Sequence, residues 1–538
     1  MKSLRKIAVI LFLGVLIGIS LILCSCDSSE SDGGIIYDGT TVIGADTDAT
    51  VLSIREGTTK IASGAFSDCK SLVELTIPSS VKEIEAGAFT GATSLVSQKD
   101  GIEYVDNWAV GCLDVTEIKP RVGTVGIANS AFEGAANATV AIVPDSVKHI
   151  GTRSFAYCTS LTSITLPFVG ESADSTFNTH FSYIFGASTH DNSELYVPSS
   201  LTSITVTVED EIRDYAFAGC RNISNVTLPQ TLVSIGEHAF DSCASLSRAI
   251  IPNSVRRIGS HAFYKCVALA EVTLPENEEF TLIDEYTFAY CANIRSLTIP
   301  ASVTEIRACA IARCEMLSSL TVSSERLSYI GQQAFDGCKQ LTTVSINADT
   351  IAKGAFKDCQ RLGSVTLGAD TSIISEYAFS GCTSLTEFTI PENVIALGES
   401  AFEGCSALAR VIIPNGRITR IEKRTFYACP ALTDISIPDS VRSIGEDAFL
   451  GCFRIESTKD GVTYIDGWIT DALPSVITPV ILSSVRGILD EAFSDCKSIT
   501  TVYYEGTEAE WLALIERSAN TELKYAALEY LFNAQTTN

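Results

Sequence analysis

The chain is poor in positive charge. Its 538 residues hold 38 Lys+Arg against 64 Asp+Glu, a formal net charge of -26. That balance excludes attraction to nucleic acid or to an anionic membrane surface through charge. Histidine numbers 5 and methionine 2, so a histidine-rich metal site has little to draw on. No Cys-x-x-Cys pair supports zinc. No Gly-rich phosphate loop opens a helix, and the outward strand positions hold no clustered carboxylate pair and no nucleophile with a His. Neither catalysis nor a cofactor is expected. Apolar residues, by contrast, make up 46% and charged ones 19%, which is enough for a large core and excludes general disorder.

The length suggests three or four domains, but the chain repeats itself. One unit reads Ala239-Phe240-x-x-Cys243-x-x-Leu246, a strand-like run, Pro252, Ser254-Val255-x-x-Ile258-Gly259 and again Ala262-Phe263. The Phe slot recurs at 66, 89, 132, 155, 217, 240, 263, 288, 311, 335, 356, 379, 402, 426, 449 and 493, with Ile311 replacing Phe once. A fixed period of this size marks a solenoid whose turns stack on their neighbours. Leu161-Thr-Ser-Ile164-Thr-Leu166 alternates apolar and small polar residues, the pattern of a half-buried strand. Proline, which cannot donate to a ladder, follows it and marks the strand's end. Val255 and Ile258 are three apart, as are Phe263, Cys266 and Leu269, a spacing suited to short 3₁₀-like turns. The Gly after Ile is expected to permit a tight bend. The fold class is thus an α/β-type repeat solenoid, with a parallel sheet on one face and turns on the other.

The pattern LxxVxIPxSVxxIGxxAFxxCxx resembles the BspA-like class of bacterial leucine-rich repeats over about residues 50–505. That resemblance implies an exported surface protein that adheres to host matrix or to other microbes. It leaves the partner unnamed. The N-terminus is consistent with export. Lys2, Arg5 and Lys6 precede an uncharged apolar run from Ile7 to Leu23. Leu23-Cys24-Ser25-Cys26 resembles a lipobox, which implies cleavage after residue 25 and a lipid anchor on Cys26. An uncleaved anchor helix is the alternative. Residues 26–34 read as an acidic tether, 35–50 as an N-terminal cap, 51–505 as the solenoid and 506–538 as a C-terminal helical cap. Thr507-Glu-Ala-Glu510 is the capping box that opens the helix.

Fourteen Cys share one repeat slot, and Ala92 and Ala135 fill it elsewhere, so the slot takes a small apolar residue. Buried reduced thiols, disulfides between neighbouring turns and a metal all remain open. Three segments break the rhythm, near 97–125, 168–214 and 457–487. The first and third share Lys-Asp-Gly…Tyr-x-Asp-x-Trp, at Lys99–Trp108 and Lys459–Trp468, and read as hairpin excursions. Their Tyr, Asp and Trp form either a sugar platform or local packing. The second is the most aromatic, with Phe177, His180, Phe181 and Tyr183 as candidate partner contacts. Outward strand positions are mostly Ser and Thr, with Arg248 and Arg410 as candidate hot spots. The leading reading is a lipid-anchored surface protein that binds extracellular protein partners. An envelope scaffold and a carbohydrate-binding protein are the alternatives.

Overall fold

A computed structural model describes residues 29–325 and 327–530. The lipobox and Cys26 lie outside the described residues. The chain forms two compact units. The first takes the described residues up to Ala138 together with Ile142–Cys158 and Ile184–Gly186. The second takes Thr139–Ala141, Thr159–Tyr183 and the chain from Ala187 onward.

In both units each repeat contributes two strands, where the sequence pattern predicts one. The longer carries the alternating run, as in Arg248–Ile250 paired parallel with Glu271–Thr273, or Thr343–Ile346 with Ser364–Leu367. The shorter has two residues and ends on the Ile of the Val-x-x-Ile pair. Ser234–Ile235 pairs parallel with Arg257–Ile258, and Leu282–Ile283 begins a row that runs to Ala396–Leu397. Of the turn expected at Val255 and Ile258, Val255 keeps an i→i+3 bond to Pro252 O at 3.1 Å, whereas Ile258 lies in a strand. Ile258 faces the core while its backbone is held in a ladder by the turns on both sides, and period-3 spacing alone does not reveal that.

The Phe–Cys–Leu segment forms the remaining side of each turn. Cys243 donates its N–H to Phe240 O and Leu246 donates to Cys243 O, at 3.1 and 3.0 Å, so the i→i+3 bonding expected there is present. It does not extend into 3₁₀ helix; Phe181–Phe185 and His190–Asn192 are the 3₁₀ helices described. What interrupts it is a left-handed residue on either side of the Phe. The residue two before Phe has positive φ in every unit, including Arg153, Tyr215, His238 and Arg424. The residue two after is left-handed too, as at Asp68, Ser242 and Ala428. These alternations aim every second N–H along the stack. His238, Phe240 and Ser242 donate to Ser260, Ala262 and Tyr264 of the next turn at 3.0, 2.7 and 2.8 Å. The turn side thus has a backbone ladder of its own, and its buried donors are paired.

The Gly after Ile does not make the expected bend, because Gly259 and Gly398 do not have positive φ. A Cβ on Gly259 would lie 2.7 Å from Glu237 N, and one on Gly398 2.3 Å from Glu376 N. Glycine is used there because the preceding turn's backbone passes too close for any side chain.

Side chains fill the space between the three ladders. Phe217, Phe240, Phe263 and Phe288 stack with ring centroids 5.1 to 5.4 Å apart. Ile311 interrupts the file, which resumes from Phe335 to Phe449. In the first unit Phe66 stacks on Phe89. Offset ring pairs of this kind add about 0.5–1.5 kcal/mol beyond their burial.

The cysteine slot requires more than small size. The Sγ of Cys243, Cys266 and Cys291 donates to the carbonyls of Phe217, Phe240 and Phe263 one turn back, at 3.2, 3.1 and 3.0 Å. The same contact recurs down to Cys452. All 16 described cysteines are free thiols. Burial pushes the thiols of Cys220, Cys338 and Cys405 up to about 12. Half-buried Cys112 rises to about 11 for the same reason.

The middle break is shorter than 168–214. Leu201-Thr-Ser-Ile-Thr205 repeats Leu161-Thr-Ser-Ile-Thr165 residue for residue. Strand Ser203–Val206 pairs parallel with Ser163–Leu166 and with Asn225–Thr227, so a regular turn resumes at about residue 201. The N-terminal tether is shorter as well. Ser29–Asp32 pairs antiparallel with Ile35–Asp38 around Gly33 and Gly34, both at positive φ as a two-residue hairpin turn requires. At the other end the capping box forms. Thr507 N–H donates to Glu510 Oε2 at 2.8 Å, and Glu510 N–H donates to Thr507 Oγ1 at 3.3 Å. Trp511 of helix Glu508–Glu516 packs on Tyr504. The end is not wholly helical, because Ala527–Tyr530 adds a parallel strand beside Thr501–Tyr504.

Two outcomes test this arrangement. Ala428→Gly should raise stability by about 1 kcal/mol by removing left-handed strain, and Gly404→Ala should lower it by about as much. Equilibrium denaturation of the two variants measures the difference. An aromatic-disulfide thiol reagent at pH 7 should leave the repeat-slot cysteines of the folded chain unmodified and titrate them once urea is added without reductant.

Candidate binding surface

The longer strands present one face to solvent, and most of its side chains are small hydroxyls. Two places differ. In strand Arg248–Ile250, Arg248 and Ile250 point outward on either side of Ala249, which is buried. In strand Arg410–Ile412, Arg410 and Ile412 do the same around Val411. Each Arg is paired with an acid on the following rung. Arg248 Nε lies 2.9 Å from Glu271 Oε2, and Arg410 Nε lies 3.0 Å from Asp434 Oδ2. All four side chains are more than half exposed. Such pairs are solvent-screened and contribute under about 1 kcal/mol each, so the guanidinium groups are free to exchange partners. Ile250 and Ile412 are 53% and 42% exposed, which places a wettable aliphatic surface beside each cation. The structure thus forms the same cation–aliphatic–acid constellation twice within the second unit.

The aromatic segment has a different character. Phe177 is 78% exposed. Phe181 is buried against Phe217, with centroids 5.5 Å apart, and fills the place of a repeat Phe. Phe185 likewise packs on Phe155 in the first unit. Tyr183 is half-buried. His180 is buried and holds a short relay: its Nδ1 lies 2.8 Å from Ser182 Oγ, which lies 2.9 Å from Ser193 Oγ, which donates to His190 O. Burial lowers the His180 pKa to about 4 and keeps the ring neutral. Of the four aromatic candidates only Phe177 reaches solvent freely. The others build the segment.

A group that sequence reasoning missed anchors that segment. Glu209 is 5% exposed, and its Oε2 accepts the Val169 N–H at 3.0 Å. Burial raises its pKa to about 8, so it is protonated near neutrality. Nothing in the sequence distinguishes it from its neighbours Asp210 and Glu211; only the fold buries it.

The repeated Tyr/Asp/Trp motif is packing, not a platform. Trp108 and Trp468 are each 2% exposed. Their rings lie where a Cβ on Gly126 or Gly487 would stand, at 2.4 and 2.1 Å. Tyr104 is buried, its OH accepts the Arg121 N–H at 2.8 Å, and the Arg121 guanidinium covers its ring at 4.4 Å. Asp106 and Asp466 accept the N–H of Ile77 and Ile437 at 3.1 and 2.8 Å, pinning each excursion to the strand before it. The carbohydrate reading thereby loses the residues that motivated it, because a buried indole offers no face to a sugar. Among the described residues no group of three or more His, Cys, Asp or Glu is placed to hold a metal ion. Nor is any described helix long and apolar enough to cross a membrane.

A pH measurement tests the Glu209 anchor. Its folded pKa lies above the unfolded value near 4.5, so the stabilising protonated form is fully present below that pH. Stability falls as pH rises from there through about 8, then levels off. Glu209→Gln keeps the acceptor and removes the proton. Its unfolding free energy, measured by equilibrium denaturation, should match the parent at pH 4 and exceed it at pH 8 by an amount on the order of 4 kcal/mol.

The family described as BspA type leucine rich repeat region (6 copies) matches residues 45–162, 96–208, 192–317, 276–383 and 349–469. No curated protein matches the chain. Among solved structures, a leucine-rich repeat protein from Bacteroides ovatus is similar at 19% identity, covering 94% of this chain and 97% of that one, with a TM-score of 0.44. A leucine rich cell surface protein from Faecalibacterium prausnitzii is similar at 19% identity over 92% and 98%, with a TM-score of 0.30. The pneumococcal vaccine antigen PcpA follows at 16% identity over 94% and 99%, with a TM-score of 0.29. The repeat match spans well over half the sequence, and the chain belongs to the BspA-type leucine-rich repeat family.

Proposed function

We propose that this protein is a lipid-anchored surface molecule that binds extracellular protein partners through its outward strand face. The observation that carries the reading is the duplicated Arg248/Ile250 and Arg410/Ile412 constellation. The two lie seven rungs apart, on the order of 34 Å at the spacing of hydrogen-bonded strands. An exposed aliphatic side chain beside an arginine is the composition of an interface anchor, and the hydroxyl-rich surroundings supply a polar rim. Phe177 adds a third exposed anchor at the edge of the aromatic segment. The Leu23–Cys26 pattern supports tethering through Cys26, and membership of the BspA-type repeat family supports a location at the cell surface. Members of this repeat family are typically non-enzymatic, which agrees with a binding role.

The experiment is a pull-down with the soluble fragment from Asp27 onward against matrix proteins and neighbouring cell surfaces. The double variant Arg248→Glu/Arg410→Glu should keep its melting curve and weaken the recovered interaction at least about tenfold, a change of about 1.4 kcal/mol. Undiminished binding by the folded double variant would reject the strand face as the contact.

A further inference from the structure

Asn415-Gly416 is the chain's one Asn-Gly pair, and it lies where the repeat is expanded by a residue. In the neighbouring turns a Val three residues after the strand-ending Pro closes a turn on it. Val394 and Val441 donate their N–H to Pro391 O and Pro438 O, each at 3.1 Å. In the turn between these two, Pro414 is followed by Asn415, Gly416 and Arg417, and Ile418 comes four residues on. Ile418 is buried like the two valines, but it makes no such bond. The extra residue pushes the loop into solvent, and Asn415, Gly416 and Arg417 are all exposed.

Three features of the expanded turn equip the pair for reaction. The Gly416 N–H has no backbone acceptor among the described residues, so its nitrogen is not held in a ladder. Gly416 takes φ +142°, in the range that glycine favours, and no atom lies within 4 Å of where its Cβ would stand. Nothing therefore shields the peptide bond between the two residues. The Asn415 side-chain amide is already oriented, because its Oδ1 accepts the Ser440 N–H of the next turn at 3.2 Å. That donor polarises the side-chain carbonyl and faces the oxygen on which negative charge develops if Cγ is attacked. Asn253 is an internal contrast. Its Oδ1 accepts the Glu276 N–H of its own next turn at 2.7 Å, but Ser254 follows it, inside a turn that Val255 closes on Pro252.

We infer that Asn415 is a self-modification site, converted without an enzyme to aspartate and isoaspartate through a cyclic imide. Once hydroxide has taken the Gly416 amide proton, that nitrogen attacks Asn415 Cγ and a C–N bond forms. The oxyanion on Oδ1, held by the Ser440 N–H, collapses and expels the side-chain nitrogen, which takes up a proton from water and leaves as ammonia. The product is a five-membered ring closed between Asn415 Cγ and Gly416 N. Water then adds to one of the two ring carbonyls and opens it. Addition at the side-chain carbonyl gives aspartate. Addition at the main-chain carbonyl gives isoaspartate, whose backbone runs through Cγ. Nothing is oxidised or reduced; the net reaction consumes water and releases ammonia. Either product places a carboxylate beside exposed Arg417, in the turn that follows strand Arg410–Ile412. The charge of this turn thus changes irreversibly with time. The chemistry does not depend on what the strand face binds.

The test is to incubate the purified protein at mildly alkaline pH in water enriched in heavy oxygen and to map its peptides by mass spectrometry. Aspartate and isoaspartate carrying heavy oxygen should accumulate at position 415 at least about tenfold faster than at Asn253. The rate should rise with pH, because the amide must lose its proton. Folding should not protect the site, so the native chain should convert at least as fast as the chain in guanidinium chloride. Asn415→Gln, which could close only a less favourable six-membered ring, should yield no product at this position. Absence of heavy-oxygen product at 415, conversion of Asn253 at an equal rate, or slower conversion in the native chain than in guanidinium chloride would each overturn the inference.

Discussion

The fold depends on one constraint: turns pair their backbones with neighbouring turns on three sides, with the strand ladders broken into short sheets, as between Glu271–Thr273 and Ser296–Ile299. Two parallel ladders achieve this with ordinary extended residues. The third side achieves it with left-handed residues flanking each Phe, which make alternate amides point along the stack. Because all three sides are paired, the spacing of turns is fixed at the backbone level. Side chains in equivalent slots are then forced into register. The Phe file, the thiol-to-carbonyl contacts and the close glycines all follow from that spacing.

The thiol contacts show how a repetitive constraint creates chemical demand. The Phe240 carbonyl accepts the Cys243 N–H and also the Cys266 thiol. A small residue such as Ala92 fits the space but leaves the second contact unmade. Cysteine is small, apolar and a weak donor at once, which explains its prevalence better than volume alone. The same burial that favours the contact raises the thiol pKa, and the residues are inert for the reason they are structural.

Repetition also sorts structural from functional candidates. Trp108 and Trp468 looked alike in sequence because they solve the same packing problem over Gly126 and Gly487. Phe181 belongs to the core because the aromatic segment must supply a repeat Phe there. Exposed slots that depart from their usual occupant stand out against this regularity, and Arg248 and Arg410 are two of them on a hydroxyl-rich face.

Period, strand, inward Phe and Cys, capping box and family were all legible in the sequence. Each is a local pattern repeated many times, and repetition averages out the ambiguity of any one copy. The turn resuming at Leu201 was legible too, through its identity with Leu161–Thr165, although aromatic residues obscured it. Three things were not. The second short strand has only two residues, too few for a period to show. Left-handed conformation is adopted here by His, Arg, Tyr and Ala, and residue type does not announce it. The raised pKa of Glu209 depends on burial that only the fold supplies. Sequence set which residue occupies each slot; only stacking of the turns decided which slots become neighbours, because that spacing is a property of backbone hydrogen bonds shared between turns.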